Sequence, residues 1–338
     1  MESNVCTINI IYASNDGYAG HLAASLCSLL DSNRSVEEMN IYVLSAGMCP
    51  EYQKRLQELA ESFGRRLFVA ELGDLAARFP YEVDTRGFDI SAMGRLFAPE
   101  VLPSSVRRAL YLDCDTIVCG GIRTLYETPL EGCLAGMVME PTVYEAMRRS
   151  IGLARDEAYF NSGVILMDLE GWRREGTLKA LLDFYGAHNG SLFACDQDTL
   201  NGALRGRIKP LSPRYNFFTN YRYFHYKTLT GLCRAYGQVG EAEFRRARRF
   251  PVILHYLGDE RPWIAGNHNH YRSLYRWYLA RTPWRDMAPQ EGKRLYMQLW
   301  WVFNHLSWLC PSLRLFISRR MGMKVIDSRK RGKTGHGR

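Results

Sequence analysis

Ala109-Leu110-Tyr111-Leu112-Asp113-Cys114-Asp115 is the stretch that decides the fold, because four apolar residues run straight into two carboxylates. A short apolar run bounded by polar residues reads as a buried strand. In an extended chain residues i and i+2 point the same way, so Asp113 and Asp115 can face one site at the carboxyl edge of a sheet. Open α/β sheets bind ligands at that edge, and paired negative charge there asks for a divalent cation and, with it, a phosphate-bearing substrate. Taken alone, Asp-x-Asp is as readily a solvated loop; the strand ahead of it favours the site.

Working outward, Ile8-Asn9-Ile10-Ile11-Tyr12-Ala13 carries a strand signal, Ser14-Asn15-Asp16-Gly17 is turn-rich, and Leu22, Leu26, Leu29 and Leu30 follow at helical spacing. Ile41-Tyr42-Val43-Leu44 and Leu67-Phe68-Val69-Ala70 repeat the strand signal on either side of a helix over residues 50–63, where Leu56, Leu59, Ala60 and Phe63 share a face. A helical stretch at 91–100 leads into the strand at 109, and apolar strands follow at 134–139 and 163–167. Strands alternating with helices predict an α/β fold with a mainly parallel central sheet. No linker, repeat or low-complexity segment interrupts residues 1–268, which read as one domain; residues 269–338 turn aromatic and basic and read as a helical extension.

The chain has 338 residues, 46% of them hydrophobic, ample for a packed core. Its nine cysteines show no zinc-type Cys-x-x-Cys pair and fit reduced thiols. Met1-Glu2-Ser3-Asn4 is polar and the apolar stretch after it is too short for a signal-peptide core, so the expected location is cytoplasmic. The net charge of +9 raises a nucleic-acid reading, but Arg319, Arg320, Lys324, Arg329, Lys330, Arg331, Lys333 and Arg338 face only Asp327 in the last twenty residues. That leaves the rest of the chain near neutral and argues against nucleic acid as a partner.

Ahead of this tail, Leu295, Leu299, Val302, Leu306, Leu309 and Leu313 define one helix face. Residues 296–313 lack Asp, Glu, Lys and Arg, yet Gln298, Asn304, His305, Ser307, Pro311 and Ser312 make a poor membrane span. A helix lying on an anionic inner-membrane surface fits better, with Trp300, Trp301 and Trp308 at headgroup level and the basic tail against lipid. A helix that caps the core or meets a dimer partner is the alternative, and the oligomeric state stays open.

Three further segments carry candidate chemistry. Tyr159-Phe160-Asn161-Ser162-Gly163 places an amide just before an apolar strand, where it can hydrogen-bond a polyhydroxylated ligand, although a plain Asn-Ser-Gly turn has the same look. Cys195-Asp196-Gln197-Asp198 opens a helix, where acids are ordinarily caps. Val252-Ile253-Leu254-His255 ends a strand on an imidazole that can join two Asp residues around a metal, or sit in the core.

Adding Tyr12-Ala13-Ser14-Asn15-Asp16, Arg95 within Met93-Gly94-Arg95-Leu96, and His255-Tyr256-Leu257-Gly258 ahead of Arg261-Pro262-Trp263, the chain resembles glycosyltransferase family 8 over residues 7 to about 265. That family comprises retaining sugar-nucleotide transferases, among them bacterial lipooligosaccharide galactosyltransferases and glycogenin. Six motifs in order make the resemblance specific. It implies a GT-A, Rossmann-like nucleotide-sugar transferase fold. It further implies uridine contacts at Ala13, Asn15 and Gly17, a manganese ion on Asp113, Asp115 and His255, and sugar and diphosphate contacts from Arg95, Asn161, Asp196, Gln197 and Gly258. Imidazole beside two carboxylates suits manganese better than magnesium, the alternative ion.

Two positions depart from the family pattern. Arg261 stands where the family usually has Lys, keeping positive charge for the diphosphate but replacing a compact ammonium with a planar fork. The first loop reads Asn15-Asp16-Gly17 where acidic and amide residues are usual. Gln197 occupies the family's candidate nucleophile position and, as an amide, is a poor one; Asp196 is the carboxylate alternative. The expected activity is therefore metal-dependent transfer of glucose or galactose from UDP-glucose or UDP-galactose, by front-face attack, to a saccharide or glycolipid acceptor in cell-surface glycan assembly. A sugar-nucleotide binder without turnover and a basic nucleic-acid-binding protein are the competing classes.

Overall fold

The structure is a computed structural model in which residues 7–313, 316 and 317 are described. β1 (Thr7–Ser14), β2 (Glu38–Ser45) and β3 (Arg66–Glu71) are parallel neighbours, and β4 (Arg108–Leu112) lies parallel on the other side of β1. The run continues after the short β5 (Thr116–Val118) with β6 (Ala135–Met139), β7 (Phe160–Asp168) and β8 (Ile208–Leu211), giving one sheet in the order β3-β2-β1-β4-β7-β6-β8. Only β7 runs against its neighbours, so the sheet is mainly parallel, as the strand and helix alternation predicts. β9 (Phe217–Phe218) and β10 (Ile253–His255) form a second, three-stranded sheet with β5.

The central strands read as near-continuous apolar runs because both faces of the sheet are covered. The helix Ala19–Ser32 is buried along almost its whole length, and its small residues allow this. A Cβ on Gly20 would lie 2.7 Å from Met287 Sδ and 3.0 Å from Trp284 Cδ1, so the segment after residue 280 packs where only glycine leaves room. The helix Arg272–Leu279 closes the same side, with Tyr275 OH 2.7 Å from His21 Nδ1 and Trp263 stacked on that imidazole at 3.7 Å. Burial pushes His21 down to about 4, so at neutral pH this ring is an uncharged packing element.

Four expectations change in detail. The helical stretch at 91–100 is a tighter three-residue-per-turn helix, Ile90–Phe97, followed by one α turn, Ala98–Val101. The Asp89 carboxylate caps it by accepting from Ser91 N at 2.9 Å, and Arg95 Nε turns back to the Ala92 carbonyl three residues earlier. Asn161 lies inside β7 rather than in a turn before it, because β7 pairs with β6 on both sides of a register shift at Met137/Val138.

Asp113-Cys114-Asp115 is a turn between β4 and β5, not a continuation of the strand. Thr116 Oγ1 closes it on the Asp113 carbonyl at 2.8 Å, so a turn rather than strand alternation brings the two carboxylates together.

The fourth concerns the helix Arg294–Leu309, where Trp300, expected at headgroup level with Trp301 and Trp308, is half-buried and turned toward the protein. Its apolar face, from Leu295 through Leu309, is exposed, whereas Met297, Asn304 and Ser307 are buried. No helix among the described residues is long and apolar enough to cross a membrane. The basic tail at 319–338 lies outside the described residues, as does Cys6; the other eight cysteines are free thiols.

Candidate active site

The Asp113–Asp115 turn is pinned between the two sheets. Asp113 N donates to the Gly163 carbonyl of β7 at 2.8 Å, and Tyr256 N, just past β10, donates to the Asp115 carbonyl at 3.0 Å. Backbone pairing thus carries His255 to the two carboxylates, and the three side chains offer ligand atoms within 4.8 Å of one another. His255 Nε2 lies 3.1 Å from Asp115 Oδ1 and 3.7 Å from Asp113 Oδ2.

Asn216 orients the imidazole. Its Nδ2 donates to Asn161 Oδ1 at 2.8 Å, which turns its Oδ1 toward His255 Nδ1 at 2.9 Å. Nδ1–H is therefore the donor, and Nε2 is the nitrogen that faces the carboxylates, the arrangement ligating imidazoles adopt. Burial alone would raise the Asp115 carboxyl, but His255 and Arg261 outweigh it and hold it below its ordinary range. His255 is correspondingly raised: burial lowers it, and the facing Asp115 and Asp113 more than compensate. Gly163 leaves the space for this pairing, since a Cβ there would fall 2.1 Å from His255 Cε1 and 2.8 Å from Asp113 Oδ2. The donor set is hard oxygen plus one imidazole, with ligand atoms within 4.8 Å of one another, which fits a divalent cation.

Arg95 lies beneath this cluster, almost fully buried. Nη2 donates to Asp113 Oδ1 at 2.8 Å, Nη1 to the Ser162 carbonyl at 2.5 Å, Nε stands 3.3 Å from Asp196 Oδ2, and the guanidinium sits 4.3 Å above the Tyr111 ring. Tyr111 OH also donates to Asp113 Oδ1, so that oxygen is engaged by protein and Oδ2 is the one turned to His255. Burial pushes Asp196 up to about 6 despite the Arg95 charge beside it.

Gln197 is saturated by protein partners: Oε1 accepts from Asn161 Nδ2 at 2.9 Å and Ser162 N at 3.0 Å, and Nε2 donates to Glu140 Oε2 and Tyr159 OH, both at 3.2 Å. Asp198 is the capping acid of its helix, accepting from Ala194 N at 2.7 Å and Tyr159 OH at 2.5 Å.

These groups open on one cleft of about 510 Å³. Ala13, Arg95, Asp113, Asp115, Asn161, Asp196, Gln197, His255, Gly258 and Arg261 all line it. Asn15 and Gly17 are not part of its wall. The Asn15 side chain is turned to Asp89 Oδ2 at 2.7 Å and accepts from Tyr18 N, so Tyr18 reaches the cleft from that loop instead, beside Asp89 from the cap of the Ile90–Phe97 helix.

Sequence reasoning missed Glu140, a half-buried cleft carboxyl raised by desolvation, as well as Asn216, Gly163 and Tyr111. The Asp-x-Asp could have pointed to Tyr111, two residues before the first acid, whose OH reaches Asp113 Oδ1; the other three are recognisable only from cross-strand pairing.

The family profile described as glycosyl transferase family 8 matches residues 9–266. The chain belongs to this family. Among curated relatives of this family 8 chain, general stress protein A of Bacillus subtilis is 28% identical over 83% of this chain and 96% of its own length. The lipopolysaccharide 1,2-glucosyltransferase of Escherichia coli is 24% identical over 85% of this chain and 82% of its own. The galactosyltransferase LgtC, solved with donor and acceptor sugar analogues, superposes with a TM-score of 0.68 at 23% identity, covering 82% of this chain and 96% of the other. That likeness shows the GT-A fold. The helices at 272–279 and 294–309 lie beyond the residues that the family 8 profile matches.

Proposed function

We propose that this family 8 glycosyltransferase moves glucose or galactose from a UDP-sugar to a saccharide or lipid-linked saccharide acceptor, with retention, in cell-surface glycan assembly. The observation that carries this reading is the convergence of Asp113, Asp115 and His255 in a cleft whose mouth holds Arg261. The lipopolysaccharide glucosyltransferase among its relatives and the sugar analogues bound to LgtC support the substrate class.

Asp113, Asp115 and His255 would hold a divalent cation, which would supply positive charge against the negative charge that builds on a departing diphosphate. Arg261 adds a second positive group: its Nε is buried without a hydrogen-bond partner and stands 3.8 Å from Asp115 Oδ2, so an anionic ligand oxygen would satisfy it. Arg95 fixes Asp113 and Asp196, and the Gln197 amide, engaged at both ends, is held as a positioning group rather than as a nucleophile. Asp196 is ion-paired with Arg95, which blunts it as an attacking carboxylate and favours front-face attack by the acceptor hydroxyl.

Purified protein with manganese should release UDP from UDP-glucose or UDP-galactose; binding of UDP without turnover of either donor would point to the non-catalytic binder instead.

On this reading residues 1–268 are the transferase domain and 269–338 an extension that holds it on an anionic membrane surface. The support is the outward row Leu295, Leu299, Val302, Leu306 and Leu309, each at least 44% exposed. Full-length protein should sediment with phosphatidylglycerol vesicles, and Leu299→Glu with Leu306→Glu should release it; equal sedimentation of both would put the surface elsewhere.

A further inference from the structure

The helix Arg294–Leu309 has an inner face as well as an outer one, and the inner face reaches the cleft. At its start, Tyr296 OH donates to Asp259 Oδ2 at 2.9 Å, in the loop that carries Gly258 and Arg261. Toward its end, His305 packs against Tyr223 with ring centroids 5.3 Å apart, and His225 Nε2 lies 2.9 Å from the Trp308 carbonyl. The helix is thereby pinned to the diphosphate-side loop at one end and to the segment 219–225 at the other. Trp300 lies between the pins, three residues from buried Met297 and four from buried Asn304, on the inward side, and lines the cleft.

Asn220 belongs to that second anchoring segment and lines the same cleft. Its Oδ1 is buried without a hydrogen-bond partner. A buried acceptor left unpaired is costly, so the position favours a ligand that brings an O–H donor. An indole and a lone acceptor lining one cleft suit a pyranose ring, whose C–H face packs on an aromatic while its hydroxyls donate.

We infer that Trp300 and Asn220 form the acceptor-sugar subsite, so that a hexose of the acceptor stacks on the indole and donates a hydroxyl hydrogen to Asn220 Oδ1. This rests on the reading of the cleft as a UDP-sugar site, which assigns the carboxylate and Arg261 side to the donor and leaves this wall to the acceptor. Because Trp300 lies beyond the residues that the family profile matches, the extension sets acceptor choice in this chain. The same helix then shows a lipid surface its outer face and the acceptor sugar its inner one.

The test uses full-length protein with UDP and magnesium and the methyl α- and β-glucosides and galactosides as probes, followed by saturation-transfer NMR. Wild type should bind at least one methyl hexoside. Trp300→Ala should bind it roughly tenfold more weakly, the scale of one lost aromatic contact, Asn220→Ala should weaken it as well, and Trp300→Phe should restore most of the binding. Equal binding by wild type and Trp300→Ala, or no methyl hexoside bound by wild type, overturns the subsite. UDP titration by calorimetry runs alongside. Loss of UDP binding in Trp300→Ala would also overturn it, by placing the indole on the donor side, whereas failure of wild type to bind UDP would sink the donor reading itself.

Discussion

Asp115→Ala is expected to weaken manganese binding by more than about 100-fold, beyond the loss typical of a group that only supports a ligand, and to abolish manganese-dependent binding of UDP-sugar. The fold should survive. The backbone contact of Asp115, its carbonyl accepting from Tyr256 N, does not depend on the side chain, and the lost pairing with His255 is offset in part because removing one carboxylate relieves crowding of negative charge with Asp113. Electron paramagnetic resonance of free manganese, read with a circular-dichroism melt, separates the two effects. Manganese affinity equal to wild type in a folded variant would remove Asp115 from the ligand set.

Arg95→Leu has the largest expected effect on stability. The guanidinium is buried against Asp113, Asp196 and the Ser162 carbonyl, so its removal leaves two carboxylates in the interior without their cation. Breaking a buried ion pair on one side costs about 3–5 kcal/mol, readable as a lower unfolding midpoint at neutral pH. The loss should shrink on acidification. Asp196 titrates at about 6 in the intact cluster, above its ordinary value, so the proton binds more tightly to the folded chain and stability is gained as pH falls through that region. Without Arg95, which lowers that carboxyl, the folded-state value climbs further and the gain is larger and begins at higher pH. The gap between variant and wild type therefore narrows from pH 7 to pH 5. A gap that widened over this interval would show that Asp196 is not the charge Arg95 compensates.

The family and the parallel sheet were legible because apolar runs and turn residues repeat at the right spacing, and because the six motifs occur in order. The site residues were legible as types: two acids, an imidazole, an arginine and an amide, ten of the twelve named positions lining one cleft. What stayed hidden depends on pairing between distant segments. Asn216 sits in the unremarkable Arg214-Tyr215-Asn216 and becomes an orienting group only because β9 lies beside β10. Gly163 gains its importance from a histidine ninety-two positions away, and Asn15 was misplaced because its side chain closes its own loop.

The extension shows the same limit from the other side. Leucine spacing identified the outward face of the helix at 294–309, but not that Trp300, expected beside Trp301 and Trp308 at headgroup level, turns inward. Buried Asn304 and Ser307 and inward Trp300 reverse the usual rule that the apolar stripe faces the core.

The central claim is that Asp113, Asp115 and His255 hold a cation against a UDP diphosphate. Calorimetric titration of UDP into wild-type protein, once with manganese and once after stripping with a chelator, tests it most directly. The account predicts binding with manganese and little or none without it; equal UDP affinity under both conditions would contradict it.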